Sequence, residues 1–178
     1  MEKSILSQQT KTIFLLGFMA SGKSSYGRKA AKRLELPFID LDVEIERKMG
    51  MSIPELFQKQ GEQAFRAIEF ETLASLLPQS GIISLGGGTV CNQDVWTLLK
   101  PHGLTVFLDM PFEQCLGRLR TSKKTRPLAS NLEDKKAIDR LRRLYETRQE
   151  NYRLADHTVD FPYDHKSLAS SLSSWIKE

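Results

Sequence analysis

Short apolar runs alternate with stretches in which apolar residues recur every three or four positions, along nearly the whole chain. Residues 12–16, Thr-Ile-Phe-Leu-Leu, carry no polar break, the pattern of a strand covered on both faces. Residues 25–34 follow with Tyr26, Ala30, Ala31 and Leu34 at helical spacing. Residues 37–41 predict a second strand, and 43–49 a helix closed by Gly50. Ser52 and Glu55 are spaced as a capping box, with Pro54 in the first turn. They open a helix expected to end near Gly61, followed by a longer one with Phe65, Ile68, Leu73, Leu76 and Leu77 on its apolar face. Residues 82–85 predict a third strand running straight into Gly86-Gly87-Gly88. A helix over 94–100, a strand over 104–108 and a helix over 111–120 come next. The stretch 121–134 is polar and basic, contains Pro127 and has no period, so it reads as a mobile loop. A helix over 135–153, a strand over 157–161 and a helix over 167–177 close the chain.

Alternating strands and helices predict a three-layer α/β fold: a five-stranded parallel sheet flanked by helices, plus a mobile lid loop over 121–134. No repeat or linker divides the 178 residues, so a single domain over 1–178 is expected. In such sheets ligands bind at the carboxyl ends of the strands. Composition is that of an ordinary soluble protein, 40% hydrophobic and 27% charged, with net charge +4. No dense basic stripe appears, which argues against nucleic acid and leaves anionic small molecules as the better match. The longest apolar stretch, 13–20, is broken by glycine and too short to cross a bilayer. The polar N-terminal residues 1–11 lack the apolar core of a secretion signal, and a cytoplasmic protein with no membrane partner is expected. Cys91 and Cys115 match no metal spacing; Cys115 falls among apolar helix positions and reads as core. No apolar surface stripe stands out, which points to a monomer.

Chemistry enters with Gly17-Phe18-Met19-Ala20-Ser21-Gly22-Lys23-Ser24, a full match to G-x-x-x-x-G-K-[ST] placed between a predicted strand and a predicted helix. Backbone N–H groups of Ala20, Ser21, Gly22, Lys23, Ser24 and Ser25 can turn toward phosphate oxygens at a helix N-terminus. Lys23 can reach the β- and γ-phosphates, and the Ser24 hydroxyl can ligate Mg²⁺. The chain is therefore expected to bind a nucleoside triphosphate. At the end of the second strand, Asp40 and Asp42 stand two apart, on one side if the chain stays extended. They could divide metal anchoring and orientation of an attacking hydroxyl, but Asp42 could equally N-cap the next helix. Arg66 sits inside an amphipathic helix with Glu62 and Glu69 as i,i+4 and i,i+3 partners, the setting of an ordinary surface arginine. Three glycines directly after a strand are stronger, since the backbone there must approach something closely or take positive φ.

Read in order, these segments resemble the shikimate kinases, small phosphate-loop (P-loop) kinases of the nucleoside-monophosphate-kinase-like branch. The resemblance covers about 12–160 and rests on Gly17 through Ser24, Asp40-Leu41-Asp42, Gly61-Glu62 with Phe65-Arg66-Ala67-Ile68-Glu69, Gly86-Gly87-Gly88, Arg126-Pro127-Leu128, and Arg148 followed by Tyr152. It implies ATP-dependent phosphorylation of the 3-hydroxyl of shikimate, giving shikimate 3-phosphate on the way to chorismate and the aromatic amino acids, with ATP and Mg²⁺ as cofactors. Lys23 and Ser24 would serve the phosphates and the metal, and Asp40 would hold the metal through water. Asp42 would bind substrate hydroxyls and orient the attacking one, as acceptor or as base. Arg66 and Arg148 would grip the shikimate carboxylate, for which planar guanidinium forks are suited. The Gly86-Gly87-Gly88 backbone would contact the substrate, and Arg126 on the lid would close over ATP.

Several positions depart from the family pattern. The lid reads Arg-Pro-Leu-Ala instead of Arg-Pro-Leu-Leu. The arginine that stacks on adenine corresponds to Arg120 or Arg118, with Arg120-Thr121 the better match. Residues 149–151 lack the proline and leucine often found before the tyrosine, so Arg143 stays in reserve behind Arg148. His165 and Lys166 lie where an adenine contact could fall, but read more simply as solvated helix-start residues. Two other readings remain: a related kinase acting on gluconate or a nucleoside monophosphate, and a non-catalytic nucleotide-dependent regulator on the same fold.

Overall fold

The computed structural model describes residues 12–77, 80–122, 129 and 131–176. Five strands, β1 (Thr12–Leu16), β2 (Phe38–Asp40), β3 (Ile82–Ser84), β4 (Gly103–Asp109) and β5 (His157–Asp160), form one parallel sheet in the order β2-β3-β1-β4-β5. The uninterrupted apolar run of β1 is explained by its place: it lies mid-sheet and is buried at every position. Phe14 aligns with Ile83 on one side and Thr105 on the other, and Leu15 with Ser84 and Val106. The edge strand β5 instead alternates between half-buried and exposed positions, as a strand covered on one face should.

Among the described residues, seven α-helices cover the sheet: α1 (Lys23–Arg33), α2 (Leu41–Met49), α3 (Ile53–Leu76), α4 (Gln93–Leu99), α5 (Phe112–Thr121), α6 (Lys135–Tyr152) and α7 (His165–Trp175). From β1 the chain goes outward to β2, returns to β3, and crosses to β4 on the other side of β1. That reversal opens a crevice at the carboxyl ends of β1, β3 and β4. The core seals the sheet beneath it, with Phe14, Leu15, Ile82, Ile83, Val106 and Phe107 each at most 1% exposed. Each such side chain contributes roughly 1.5–3 kcal/mol. Cys115 belongs to this core, and Cys91 is exposed.

Most element boundaries fall within two residues of expectation, and the shifts have identifiable causes. Ser52 caps α3 as a capping box: its Oγ accepts from Glu55 N at 3.4 Å and its N donates to the Glu55 carboxylate at 2.8 Å. Gly61 takes φ 79 and ψ 174, so α3 is two helical segments joined at the glycine that was expected to end the first. Helix α2 begins at Leu41, earlier than expected, and this changes the reading of Asp42. Asp40 occupies the N-cap position without making a side-chain capping bond, and Asp42 lies in the first helical turn. The capping role considered for Asp42 is therefore not the one it has. Helix α7 likewise starts at His165, because Asp164 Oδ1 accepts from Lys166 N at 2.7 Å and from Ser167 N at 2.9 Å. Among the described residues, no helix is long and apolar enough to cross a membrane.

Candidate active site

The loop between β1 and α1 follows the expected phosphate cradle. Gly22 caps α1 at φ 100, and Ala20 takes φ 64, a left-handed conformation unusual for a residue with a Cβ. Lys23 is buried and donates Nζ to the carbonyls of Gly17 at 2.8 Å and Phe18 at 2.9 Å. Its ammonium is thus held within the loop whose N–H groups would meet phosphate. In front of the loop lies a cleft of about 310 Å³, lined by Ala20, Gly22, Lys23, Ser24, Ser25, Asp40, Asp42, Gly87 and Arg118 among others. Asp40 and Asp42 share this cleft although the chain between them is not extended. The turn into α2 brings Asp42 round beside the end of β2, and the helix N-terminus favours its negative charge.

The glycine turn after β3 forms the other end. None of its three residues has positive φ, so close approach is what requires them. A Cβ on Gly86 would lie 2.9 Å from Glu69 Oε1 and 3.1 Å from Asp42 Oδ1. One on Gly88 would lie 2.5 Å from Arg66 Nη2 and 2.9 Å from Arg148 Nη2. Both guanidiniums therefore converge on one backbone turn, with the Asp42 carboxylate beside its first residue. Arg148, on α6, is 6% exposed, whereas Arg143 on the same helix is exposed. With no proline among residues 149–151, α6 runs unbroken to Tyr152, which donates its hydroxyl to the Gly87 carbonyl.

Arg66 keeps both acidic partners that the spacing suggested, yet it is not a surface arginine. Its Nη1 donates to Glu69 at 2.7 Å and its Nη2 to Glu62 at 3.2 Å, with the side chain 26% exposed. Burial works against its charge, but the Glu69 and Glu62 carboxylates more than offset that, and its pKa is raised. Glu69 is the residue sequence reasoning undervalued. It is 3% exposed and also accepts from Thr89 Oγ1 at 2.6 Å. The signal was present: Glu69 lies four residues after Phe65 and four before Leu73, in the middle of the apolar face.

The two candidate adenine arginines separate. Arg118 reaches the phosphate loop, donating to the Ala20 carbonyl at 3.3 Å and to Tyr26 Oη at 2.9 Å. Arg120, the better match by sequence, is exposed and donates to the Leu132 carbonyl at 3.3 Å. His165 is half-buried and Lys166 exposed at the start of α7, as helix-start residues. Arg126 lies outside the described residues, as does half of the expected lid over 121–134.

The family model for shikimate kinase matches residues 19–177 of this chain. The chain belongs to the shikimate kinase family. A curated shikimate kinase from Aquifex aeolicus is 42% identical over 148 residues, covering 83% of this chain and 84% of that protein. A solved shikimate kinase from Bacteroides thetaiotaomicron superposes with a TM-score of 0.86 at 31% identity, over 94% of this chain and 99% of that one. The Acinetobacter baumannii shikimate kinase, solved in complex with shikimate, gives 0.85 at 33% identity, over 95% and 94%. A gluconokinase from Sinorhizobium meliloti shares the fold alone, at 15% identity and a TM-score of 0.59. The enzyme is a phosphotransferase of the phosphate-loop class. Its donors around the cleft suit Mg²⁺: the Ser24 hydroxyl and the Asp40 and Asp42 carboxylates all present oxygen, with no thiol or imidazole among the lining residues.

Proposed function

We propose that the enzyme phosphorylates shikimate with its carboxylate held between Arg66 and Arg148 and its reacting hydroxyl directed by Asp42 toward the γ-phosphate of ATP. The observation that carries this reading is the convergence of two guanidiniums and one aspartate on Gly86-Gly87-Gly88. An acidic polyol matches that arrangement: planar forks for the carboxylate at one end, and a hydrogen-bond acceptor for hydroxyls at the other. Glu69 holds Arg66 from behind, so the fork is in place before the substrate arrives.

On the donor side, the backbone N–H groups of residues 20–25 cradle the phosphates, and Lys23 exchanges its two loop carbonyls for phosphate oxygens. Arg118, against the loop, is the arginine we assign to the nucleotide, and Arg126 the one that closes over it. Ser24 and Asp40 would hold Mg²⁺, which supplies charge neutralisation on the phosphate oxygens. Transfer then rests on alignment and electrostatics, with lid closure excluding water as a competing acceptor. We place the enzyme in the cytoplasm as a monomer. The test is a coupled assay of ADP release with shikimate, gluconate and nucleoside monophosphates offered in turn. Turnover with shikimate alone is expected; turnover with gluconate but not shikimate overturns the assignment.

A further inference from the structure

Two buried phenols hold two neighbouring loops of the site, the glycine turn and the phosphate loop, which meet where a Cβ on Gly87 would lie 3.4 Å from Met19 N. Tyr152 is fully buried near the end of α6, packs on Phe107 of β4 with ring centroids 5.2 Å apart, and donates its hydroxyl to the Gly87 carbonyl. Tyr163, after β5, is 6% exposed, meets Tyr26 edge-on at 5.9 Å, and donates to the Ser21 carbonyl at 2.8 Å. Neither is among the residues lining the cleft. Each acts on a carbonyl whose peptide plane matters there.

In a trans peptide the carbonyl of one residue and the N–H of the next lie in one plane and point in opposite directions. Anchoring the Gly87 carbonyl therefore aims the Gly88 N–H, beside Arg66 and Arg148. Anchoring the Ser21 carbonyl aims the Gly22 N–H, at the N-terminus of α1 where phosphate would sit. Glycine gives these planes little preference of their own, so the orientation has to come from outside the loop. Burial raises the pKa of both phenols, and the Arg148 guanidinium beside Tyr152 only partly opposes this, so both remain protonated donors through the working pH range.

We propose that Tyr152 and Tyr163 are positioning residues serving one substrate each: Tyr152 orients the acceptor turn for shikimate, and Tyr163 orients the phosphate loop for ATP. The inference rests on the acceptor and donor assignments above. The test is steady-state kinetics and thermal melting of full-length Tyr152→Phe and Tyr163→Phe, with both substrates varied. Losing the donor to a buried carbonyl is expected to raise one KM roughly five- to twentyfold. For Tyr152→Phe that is the KM for shikimate, with the KM for ATP within about twofold; Tyr163→Phe shows the reverse. Replacing Tyr152 by 4-aminophenylalanine, whose N–H can donate in place of the hydroxyl, restores the shikimate KM.

A variant that moves both KM values together, moves neither, or loses its cooperative melt shows a scaffold role and overturns the proposal for that tyrosine. Arg66→Ala in the same assay separates the two levels of the argument. If it leaves the shikimate KM unchanged, the carboxylate clamp is wrong. If it raises the KM while Tyr152→Phe does not, only the positioning role is wrong.

Discussion

Removing Arg66 should have two separable consequences, because the side chain meets a buried carboxylate on one side and the turn proposed to receive substrate on the other. In Arg66→Ala, Glu69 loses its 2.7 Å ion pair and keeps only the Thr89 hydroxyl at 2.6 Å, with its own side chain 4% exposed. The Glu62 contact, 3.2 Å to a side chain 63% exposed, adds little. Breaking a fully buried pair costs 3–5 kcal/mol as an order of magnitude. Arg66 is about a quarter exposed, so water can enter the vacated space, and about 2 kcal/mol is the expected loss. For a chain of this length that lowers Tm by roughly 4–8 °C.

Losing a charge-assisted hydrogen bond to the shikimate carboxylate costs about 1.5–3 kcal/mol, a rise of roughly 10- to 100-fold in shikimate KM. Some loss of kcat accompanies it, because carboxylate binding aligns the acceptor. Adding Glu69→Gln to Arg66→Ala removes the stranded charge while the amide oxygen still accepts from Thr89. Most of the Tm should return, and the KM should stay high. Melting curves and steady-state kinetics on the single and double variants read both effects. If the double variant melts no higher than Arg66→Ala, the buried-charge account of Glu69 is wrong. If shikimate KM is unchanged in Arg66→Ala, so is the clamp.

Asp42→Asn should retain ATP affinity by equilibrium titration and lose about a hundredfold or more in kcat, since the amide cannot accept the hydroxyl proton or orient it equally; a rate near wild type removes Asp42 from its assigned role. Ala20→Gly should stabilise the enzyme by up to about 1 kcal/mol in urea unfolding, because the alanine is held at φ 64; a loss of stability contradicts this. Asp109 has its pKa raised, first by burial and then by the Asp160 carboxylate paired with it in register, against partial relief from Arg153. The folded state therefore holds that proton more tightly than the unfolded chain, and stability falls as pH climbs out of the ordinary carboxylate range through the raised value. Asp109→Asn should accordingly stabilise the enzyme at pH 7 in urea unfolding, with the gain vanishing in strongly acidic buffer where both states are protonated; an equal gain at both pH values contradicts the assignment.

The strands and the phosphate loop were legible because one local cause determined each. An unbroken apolar run such as Thr12–Leu16 fits only a strand buried on both faces, and a glycine loop ending in Gly-Lys-Ser has few other uses. Gly61, too, did what its sequence position suggested. The functional side chains were harder, since their meaning depends on what the fold brings near them. Spacing alone gave Asp42 a capping alternative that the early start of α2 removes. Arg66 showed its two helical partners in the sequence, but its burial depends on Gly88, which reaches it from the other side of a long connection. Arg118 and Arg120 are two residues apart on one helix, and only the packing against Ala20 and Tyr26 tells them apart. Tyr152 entered only through its spacing from Arg148 and Tyr163 carried no signal, because a buried tyrosine reads as core until its hydroxyl is seen to meet a particular carbonyl.

A crystal structure of this enzyme with shikimate and ADP would settle where the acid group lies. Density for the carboxylate between Arg66 and Arg148, with the ring hydroxyls turned to Asp42, is the predicted result. A carboxylate bound elsewhere, with Arg66 still engaged only by Glu69 and Glu62, would contradict the account.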